Sequence, residues 1–118
     1  MSVFETNVIN IGNEAELFQS ENMIILFGSD APDDLADYCY NIELNEVKES
    51  IQEGQTLSVG NEQYKITAVG NVVEKNLRDL GHITIKFDGS NEAALAGTLY
   101  VEEKKLPEIS VGTEITIK

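Results

Sequence analysis

The sequence predicts an all-β fold, mainly antiparallel and either barrel-like or a sandwich, with one short helix near residues 72–80. Short apolar segments recur along the 118 residues, and turns that contain glycine separate them. Only one segment shows the apolar spacing of an amphipathic helix. Because a parallel strand pair needs a long crossover connection, usually a helix, a single helix favours antiparallel pairing.

The strand segments show either alternation of apolar and polar residues or a short apolar run. Residues 23–27 (MIILF) are an apolar run that suits a strand buried on both faces, whereas residues 38–45 alternate and suit a half-buried strand. Residues 57–59 and 64–69 flank a Gly-Asn pair, which predicts a hairpin with a tight turn. No internal repeat is apparent in the sequence. The remaining predicted strands are residues 3–11, 82–88, 98–102 and 113–118.

The helix is predicted from its apolar face and from residues that favour its two ends. Val73, Leu77 and Leu80 are spaced by four and three residues, which places them on one face. Asn71 is a candidate N-cap, with a glutamate three residues later to complete a capping box. Gly81 is placed to end the helix in a left-handed conformation.

The charge balance limits the partners of this chain. It has 21 acidic and 8 basic residues, which gives a net charge of −13. Nucleic acid is not an expected partner, because phosphate contacts need clustered lysine and arginine. An anionic membrane surface is disfavoured for the same reason, whereas a basic patch on another protein would be attracted. The simpler explanation of the acidity is solubility alone.

Length and segment composition predict a single domain over residues 1–118. No apolar run approaches the ~20 residues that cross a bilayer, so direct membrane insertion is not expected. The N-terminal segment lacks the basic and apolar regions of a signal peptide. Cys39 is the single cysteine and cannot form an internal disulfide, so no oxidising compartment is needed. The cytoplasm is the expected location.

His82 is the only histidine and the tentative catalytic residue. A neutral imidazole is a good nucleophile near pH 7, and its phosphoryl adduct can be passed on, so the residue type suits a phosphoryl relay. A position between a helix and a strand predicts a partly exposed ring. The negative helix end favours protonated imidazole and repels phosphate. The alternative is a structural histidine that bonds to a nearby carbonyl or carboxylate.

The other residues with reactive side chains give weaker indications. Cys39 lies in an apolar, aromatic setting and is expected to be buried and inert, unless His82 lies beside it as a base. An acidic cluster lacks the order of a calcium loop and is expected to be a solvated turn, so no metal is predicted. The glycines form no phosphate-binding motif, so no cofactor is predicted either. The acidic cluster consists of Asp30, Asp33, Asp34 and Asp37.

Two segments carry a resemblance to a known family. Residues 68–70 read AVG, residues 76–82 read NLRDLGH and residues 87–89 read FDG. Residues 31–35 read APDDL, and residues 38–40 read YCY. With these motifs the chain resembles the glucitol/sorbitol-specific enzyme IIA component of the bacterial phosphotransferase system. The resemblance extends over nearly the whole chain.

The resemblance implies an all-β barrel-like domain in the cytoplasm. Such a domain takes a phosphoryl group from the histidine phosphocarrier protein during sugar uptake. It passes that group to the glucitol-specific IIB/IIC components. The sugar itself is not bound by the IIA component, so the resemblance implies no substrate pocket.

The resemblance also assigns positions around the family's acceptor histidine. Tyr38, Cys39 and Tyr40 match the family, but Ile42 stands where the acceptor histidine is, and Leu44 stands at a second family histidine. Isoleucine cannot accept a phosphoryl group. Glu43 could form an acyl phosphate in principle, but nothing indicates a metal site around it.

Three functions remain open from the sequence. The first is a working phosphocarrier that uses His82, and only this one makes the chain a phosphotransferase. The second is a phosphorylation-incompetent regulatory or binding protein with the same fold, and the third is a binding barrel of unrelated role. An exposed cleft shared by His82 and Ile42 would favour the first. The oligomeric state is open, and Tyr38 and Tyr40 are expected in the core rather than at an interface.

Overall fold

The computed structural model describes residues 2–118. Within this range eight strands form, together with two short helices and one 3-10 turn. The helices are α1 (Asp33–Ala36) and α2 (Val73–Leu80), and the 3-10 turn is Leu17–Glu21. The strands are β1 (Phe4–Ile11), β2 (Met23–Gly28), β3 (Tyr40–Ile42), β4 (Thr56–Val59), β5 (Glu62–Val69), β6 (Ile83–Lys86), β7 (Thr98–Val101) and β8 (Glu114–Ile117).

The eight strands of the described chain close into a barrel in the order β1-β3-β2-β6-β7-β5-β4-β8. The predicted all-β, mainly antiparallel fold is confirmed, and of its two predicted forms the barrel rather than the sandwich is present. Two neighbouring pairs are nevertheless parallel, β2 with β3 and β6 with β7. Their crossovers are short connections, one carrying α1 and the other irregular. The single predicted helix therefore did not rule out parallel pairs. Closure pairs every strand on both sides and leaves no edge open to aggregation.

The barrel interior holds a continuous apolar core. β2 and β6 contribute Ile24, Leu26, Ile83 and Ile85, each at most 2% exposed. Tyr64 packs edge-on against Phe87 inside the barrel, with ring centroids 4.8 Å apart. The alternation expected for residues 82–88 is thus confirmed.

Two strand predictions are wrong in detail. The run 23–27 was expected to be buried on both faces, but Met23 and Ile25 lie half-buried on the outer face of the barrel. The segment 38–45 was expected to be a half-buried strand, but only Tyr40–Ile42 pairs, and all three of its residues are buried. The strand is short because the chain enters it from a turn after α1 and leaves it at exposed Glu43.

The helix prediction is confirmed in position and corrected at its N-terminus. Val72 rather than Asn71 occupies the N-cap, and no side chain caps the helix. Glu74 does not complete a capping box, because its Oε1 accepts a hydrogen bond from the N–H of Ile51 at 3.0 Å. Gly81 ends the helix in the left-handed conformation with φ 66°, as predicted.

The barrel is built from two similar halves, β1–β4 and β5–β8. If β1 is exchanged with β5, β2 with β6, β3 with β7 and β4 with β8, every strand keeps the same two neighbours around the barrel. The residue pairing follows the same exchange. On β4 and β8, the pair Leu57 and Ile117 is exchanged with the pair Val59 and Ile115. This pseudo-twofold symmetry corrects the prediction that no internal repeat exists. The halves share strand register and burial more than residue identity, so the repeat is hard to see in the sequence.

Equivalent backbone contacts hold the helical connection of each half. The N–H of Gly12 donates to the carbonyl of Cys39, and the N–H of Gly70 donates to that of Thr98, both at 3.0 Å. A Cβ at either glycine would lie 2.2 Å from a backbone oxygen, so only glycine fits. The helical connections then end at left-handed residues, Asn22 and Gly81. The second of these leads directly into His82.

Candidate site around His82

His82 lies at the start of β6, opposite Phe27 of β2. The two rings are stacked, with centroids 4.2 Å apart and planes inclined by 24°. The register of β2 and β6 produces this pairing, since Leu26 and Ile83 are the adjacent inward-facing partners. His82 is half-buried, and Phe27 beneath it is 8% exposed. The predicted partial exposure of the histidine ring is confirmed.

A backbone carbonyl fixes the histidine ring. Nδ1 of His82 lies 3.2 Å from the carbonyl oxygen of Leu26. A carbonyl oxygen can only accept, so this hydrogen bond requires the proton on Nδ1. In the neutral ring Nε2 then carries the free lone pair. Among residues 2–118 no hydrogen-bond partner of Nε2 is found. The carbonyl contact of a structural histidine and the free nitrogen of a nucleophile are therefore compatible.

The ring of His82 opens on an apolar groove of about 220 Å³. The 3-10 turn, β2 and the segment around α1 supply its other walls. No charged side chain lines this groove within the described chain. The sequence did not reveal this groove, because the turn and α1 are too short for a periodic pattern. Its principal lining residues are Phe18, Ile25, Phe27, Leu35, Tyr38 and His82.

Cys39 lines the same groove but is held away from catalysis. Its side chain is 2% exposed, and Sγ donates a hydrogen bond to the carbonyl of Leu35 at 3.1 Å. Burial raises the pKa of the Cys39 thiol, which disfavours the thiolate. The structure thus brings Cys39 and His82 to one groove without a hydrogen bond between them. The expected buried, inert cysteine fits this environment best.

Ile42 occupies the barrel interior. It is 0% exposed, and its backbone pairs with Val8 on one side and Gly28 on the other. Because its side chain packs in the core, it shares no cleft with His82. The shared cleft that would favour a carrier using His82 is therefore absent, and the acceptor role of His82 has to rest on its own surroundings. Glu43 is exposed, and its N–H donates to the carbonyl of Asn7.

Leu44, two residues further on, lies on the His82 side of the barrel surface. It is 48% exposed and lines a second hollow of about 280 Å³, which shares Phe27 with the first. A Cβ added at Gly81 would lie 3.3 Å from Cδ1 of Leu44, so this leucine adjoins the backbone just before His82. Sequence reasoning gave Leu44 less weight than Ile42. The predicted alternation of residues 38–45 places both on the same face, so it could not indicate that the chain leaves the barrel wall between them.

The two tyrosines of the motif differ in their surroundings. Tyr40 is 1% exposed and its hydroxyl accepts a hydrogen bond from Nε2 of Gln19 at 3.1 Å, so its predicted core position is confirmed. Burial raises the pKa of Tyr40. Tyr38 is 38% exposed and its ring lies 6.2 Å from that of Phe18, at the groove. The expectation that Tyr38 belongs to the core is wrong.

The acidic cluster lies on the surface around α1, and all four of its carboxylates are exposed. Across residues 2–118 no three His, Cys, Asp or Glu side chains converge as metal ligands. Every helix of the described chain is too short and too polar to cross a membrane. A separate hollow of about 370 Å³ lies between Gly60 and Pro107, and no candidate residue lines it.

The fold and the site define a small β-barrel protein that presents one histidine in an apolar surface groove. A sequence model of the PTS system glucitol/sorbitol-specific IIA component family matches residues 3–116. The chain is 40% identical over 111 residues to the PTS system glucitol/sorbitol-specific EIIA components of Shigella flexneri and Escherichia coli (strain K12), covering 94% of this chain and 90% of each relative. This chain belongs to the glucitol/sorbitol-specific IIA component family.

A solved structure gives the same result for the fold. The crystal structure of a PTS system IIA component from Enterococcus faecalis V583 matches with a TM-score of 0.84 and 32% sequence identity. The match covers 95% of this chain and 97% of that one. The recognition of the family from its motifs is confirmed.

Proposed function

We propose that this chain is a phosphoryl carrier of the glucitol/sorbitol phosphotransferase system and that Nε2 of His82 is the acceptor. The observation that carries the proposal is the hydrogen bond from Nδ1 to the carbonyl of Leu26, because in the neutral ring it leaves the lone pair of Nε2 free at the groove. In this role the chain acts in the cytoplasm. It receives the group from the histidine phosphocarrier protein and passes it to a IIB component.

The transfer is a displacement at phosphorus. The Nε2 lone pair forms the new N–P bond while the N–P bond of the donor histidine breaks, and that electron pair returns to the donor imidazole. The Nδ1 proton stays on the ring of His82, so the ring becomes positively charged as the bond forms. The nearby C-terminal end of α2 is negative, so it stabilises the charge on the ring but repels the phosphoryl group itself. Positive charge from the partner protein has to offset that repulsion. The stacked ring of Phe27 keeps the imidazole in one orientation.

The second candidate function is a phosphorylation-incompetent binding or regulatory protein. The apolar lining of the groove favours it, because no lysine or arginine of the described chain lines the groove to neutralise a phosphoryl group. In the carrier proposal the partner protein supplies that positive charge. The two functions therefore differ in whether His82 gains a phosphoryl group, and they share the groove as a binding surface.

The deciding experiment is phosphorylation from phosphoenolpyruvate with enzyme I and the histidine phosphocarrier protein, followed by intact mass. We expect wild type to gain one phosphoryl group and His82→Gln to gain none. Met23→Gln is the matched control, since Met23 is the pseudo-twofold counterpart of His82, and it should behave as wild type. No gain in wild type, beside a labelled family member with a histidine at the position of Ile42, would contradict the carrier proposal and leave the binding function.

A further inference from the structure

Much of the exposed apolar surface is concentrated next to His82. Eight large apolar side chains of residues 2–118 are more than a third exposed, and four of them line the two hollows that meet at Phe27. The other four line neither hollow; they are Ile9, Leu17, Leu95 and Val111. Clustered apolar side chains on a protein surface indicate an interaction site. We call this surface the Phe27 face, formed by Phe18, Phe27, Leu35, Tyr38, Leu44 and Leu80.

The edge of the Phe27 face is acidic. Asp30 and Asp79 line the second hollow, and no lysine or arginine of the described chain lines either one. Three more exposed carboxylates flank Leu35 in and next to α1. A surface with an apolar centre and a negative rim fits a partner with the opposite rim. The three flanking residues are Asp33, Asp34 and Asp37.

The pseudo-twofold symmetry shows that the barrel fold does not require the aromatic and histidine side chains of the Phe27 face. The register pairs Met23 with Lys86 at the other end of the same two strands. Under the exchange of halves, Lys86 is the counterpart of Phe27 and Met23 that of His82. An aromatic floor and a histidine therefore occur at one end only. The same fold accepts a lysine at the position equivalent to Phe27.

We propose that the Phe27 face is the docking surface for the phosphoryl-donor protein, whose contact region is an apolar ridge bordered by lysine or arginine. This inference rests on the proposed function for the identity of the partner. A second copy of this chain is the poorer occupant, because its net charge of −13 would bring one acidic rim against another. The partner's basic border also supplies the positive charge that the His82 groove lacks.

The first test measures binding of the unphosphorylated histidine phosphocarrier protein by calorimetry. The variants are Leu35→Ser and Leu44→Ser, one from each hollow, and both residues are 48% exposed in the free protein. We expect each to weaken binding about tenfold or more, since apolar side chains central to an interface carry much of its affinity. Leu95→Ser is the control, because Leu95 is exposed but lines neither hollow. Equal losses in all three variants would overturn the proposal.

The second test concerns the acidic rim. Asp30→Lys and Asp79→Lys should weaken binding several-fold at low salt, and the difference from wild type should shrink in about 1 M salt, where surface charges are screened. Glu108→Lys is the control for net charge, because Glu108 is exposed and lines neither hollow of the Phe27 face. A rim variant that binds more tightly than wild type would contradict a basic partner border.

The outcomes separate this inference from the proposed function. Gain of a phosphoryl group tests the role of His82, whereas affinity for the phosphocarrier protein tests the roles of Leu35 and Leu44. Phosphorylation without any effect of the Leu35 and Leu44 variants on affinity would overturn the docking surface and leave the carrier. If binding depends on both leucines but the wild type gains no phosphoryl group, the carrier proposal is overturned and the docking surface is kept. No detectable binding of wild type at about 1 mM, or self-association lost in Leu35→Ser, would also overturn the proposal.

Discussion

Two residues of backbone separate a core position from a surface position in this chain. Ile42 ends a strand whose three residues are buried, whereas Leu44 has left the barrel wall and adjoins Gly81. A reactive side chain at position 42 would therefore lie in the apolar core, whereas one at position 44 would lie at the surface. His82 is on the same side as Leu44 and packs on Phe27.

A histidine placed at each position tests this difference. Ile42→His buries a polar ring among apolar side chains, and we expect it to lower the free energy of unfolding by about 3 kcal/mol. Leu44→His exchanges an exposed side chain and should change it by less than about 0.5 kcal/mol. Urea denaturation of both variants measures the difference. Equal stability of the two would place residue 42 outside the core.

Tyr64 gives a pH dependence with a definite sign. Burial, with a smaller effect of Glu62, raises the pKa of Tyr64 to about 12 from 10.0. Its hydroxyl donates to the carbonyl of Lys105 at 2.7 Å. The unfolded chain loses this proton near pH 10 while the folded chain keeps it, so stability is lost as pH rises from about 10 to 12.

The measurement is urea unfolding of wild type and Tyr64→Phe at several values of pH between about 9 and 12. The variant should be less stable than wild type near pH 9, because the carbonyl of Lys105 loses its donor. The gap should then narrow as pH rises. A gap that stays constant across this range would mean that Tyr64 titrates normally.

At the scale of elements, the turn between α2 and β6 determines where His82 lies. Gly81 combines φ 66° with a close approach to β2, since an added Cβ would lie 2.9 Å from the backbone nitrogen of Gly28. This contact joins the end of the helix to the strand that carries Phe27. The glycine is therefore needed for both its conformation and its size.

Gly81→Ala should lower the free energy of unfolding by about 2 kcal/mol or more, through left-handed strain and the backbone clash. Gly60→Ala is the matched control, because Gly60 has φ 60° but an added Cβ would meet only a methyl group of Thr113 at 3.6 Å. It should lose about 1 kcal/mol from the strain alone. Thermal or urea unfolding compares the two, and a larger loss in Gly60→Ala would contradict this account.

The elements differ in how well the sequence predicts them. α2 could be predicted because eight residues show a helical apolar period and a glycine follows. The four residues of α1 are too few to show such a period. The groove walls that α1 supplies could therefore not be predicted either. The parallel pairs could not be predicted, because one crossover contains only the four-residue α1 and the other contains no helix. His82 could be singled out as the only histidine, but its tautomer and its groove depend on contacts between β2 and β6.

At the scale of the whole molecule, each half of the barrel is incomplete without the other. Half of the strand pairs join one half of the chain to the other, including β1 with β8 and β2 with β6. An isolated half would expose both its unpaired strands and its part of the core.

Fragments 1–60 and 61–118 should therefore be largely unfolded when produced separately and should regain strand structure when mixed. Circular dichroism and amide proton spectra of each fragment and of the equimolar mixture test this expectation. A fragment that is folded and monomeric alone would show that the halves are independent units.

The twofold arrangement also bears on valency. Ile25 and Thr84 face each other near the pseudo-twofold axis. The pair Phe27 and His82 lies on one side of them, and the equivalent pair Lys86 and Met23 lies on the other. The backbone thus offers two equivalent positions for a stacked histidine, and the side chains present fill only one of them. Met23→His together with Lys86→Phe would place a second histidine beside an aromatic ring, so the stacked pair depends on two side chains, whereas the groove beside His82 also depends on α1, which the second half lacks.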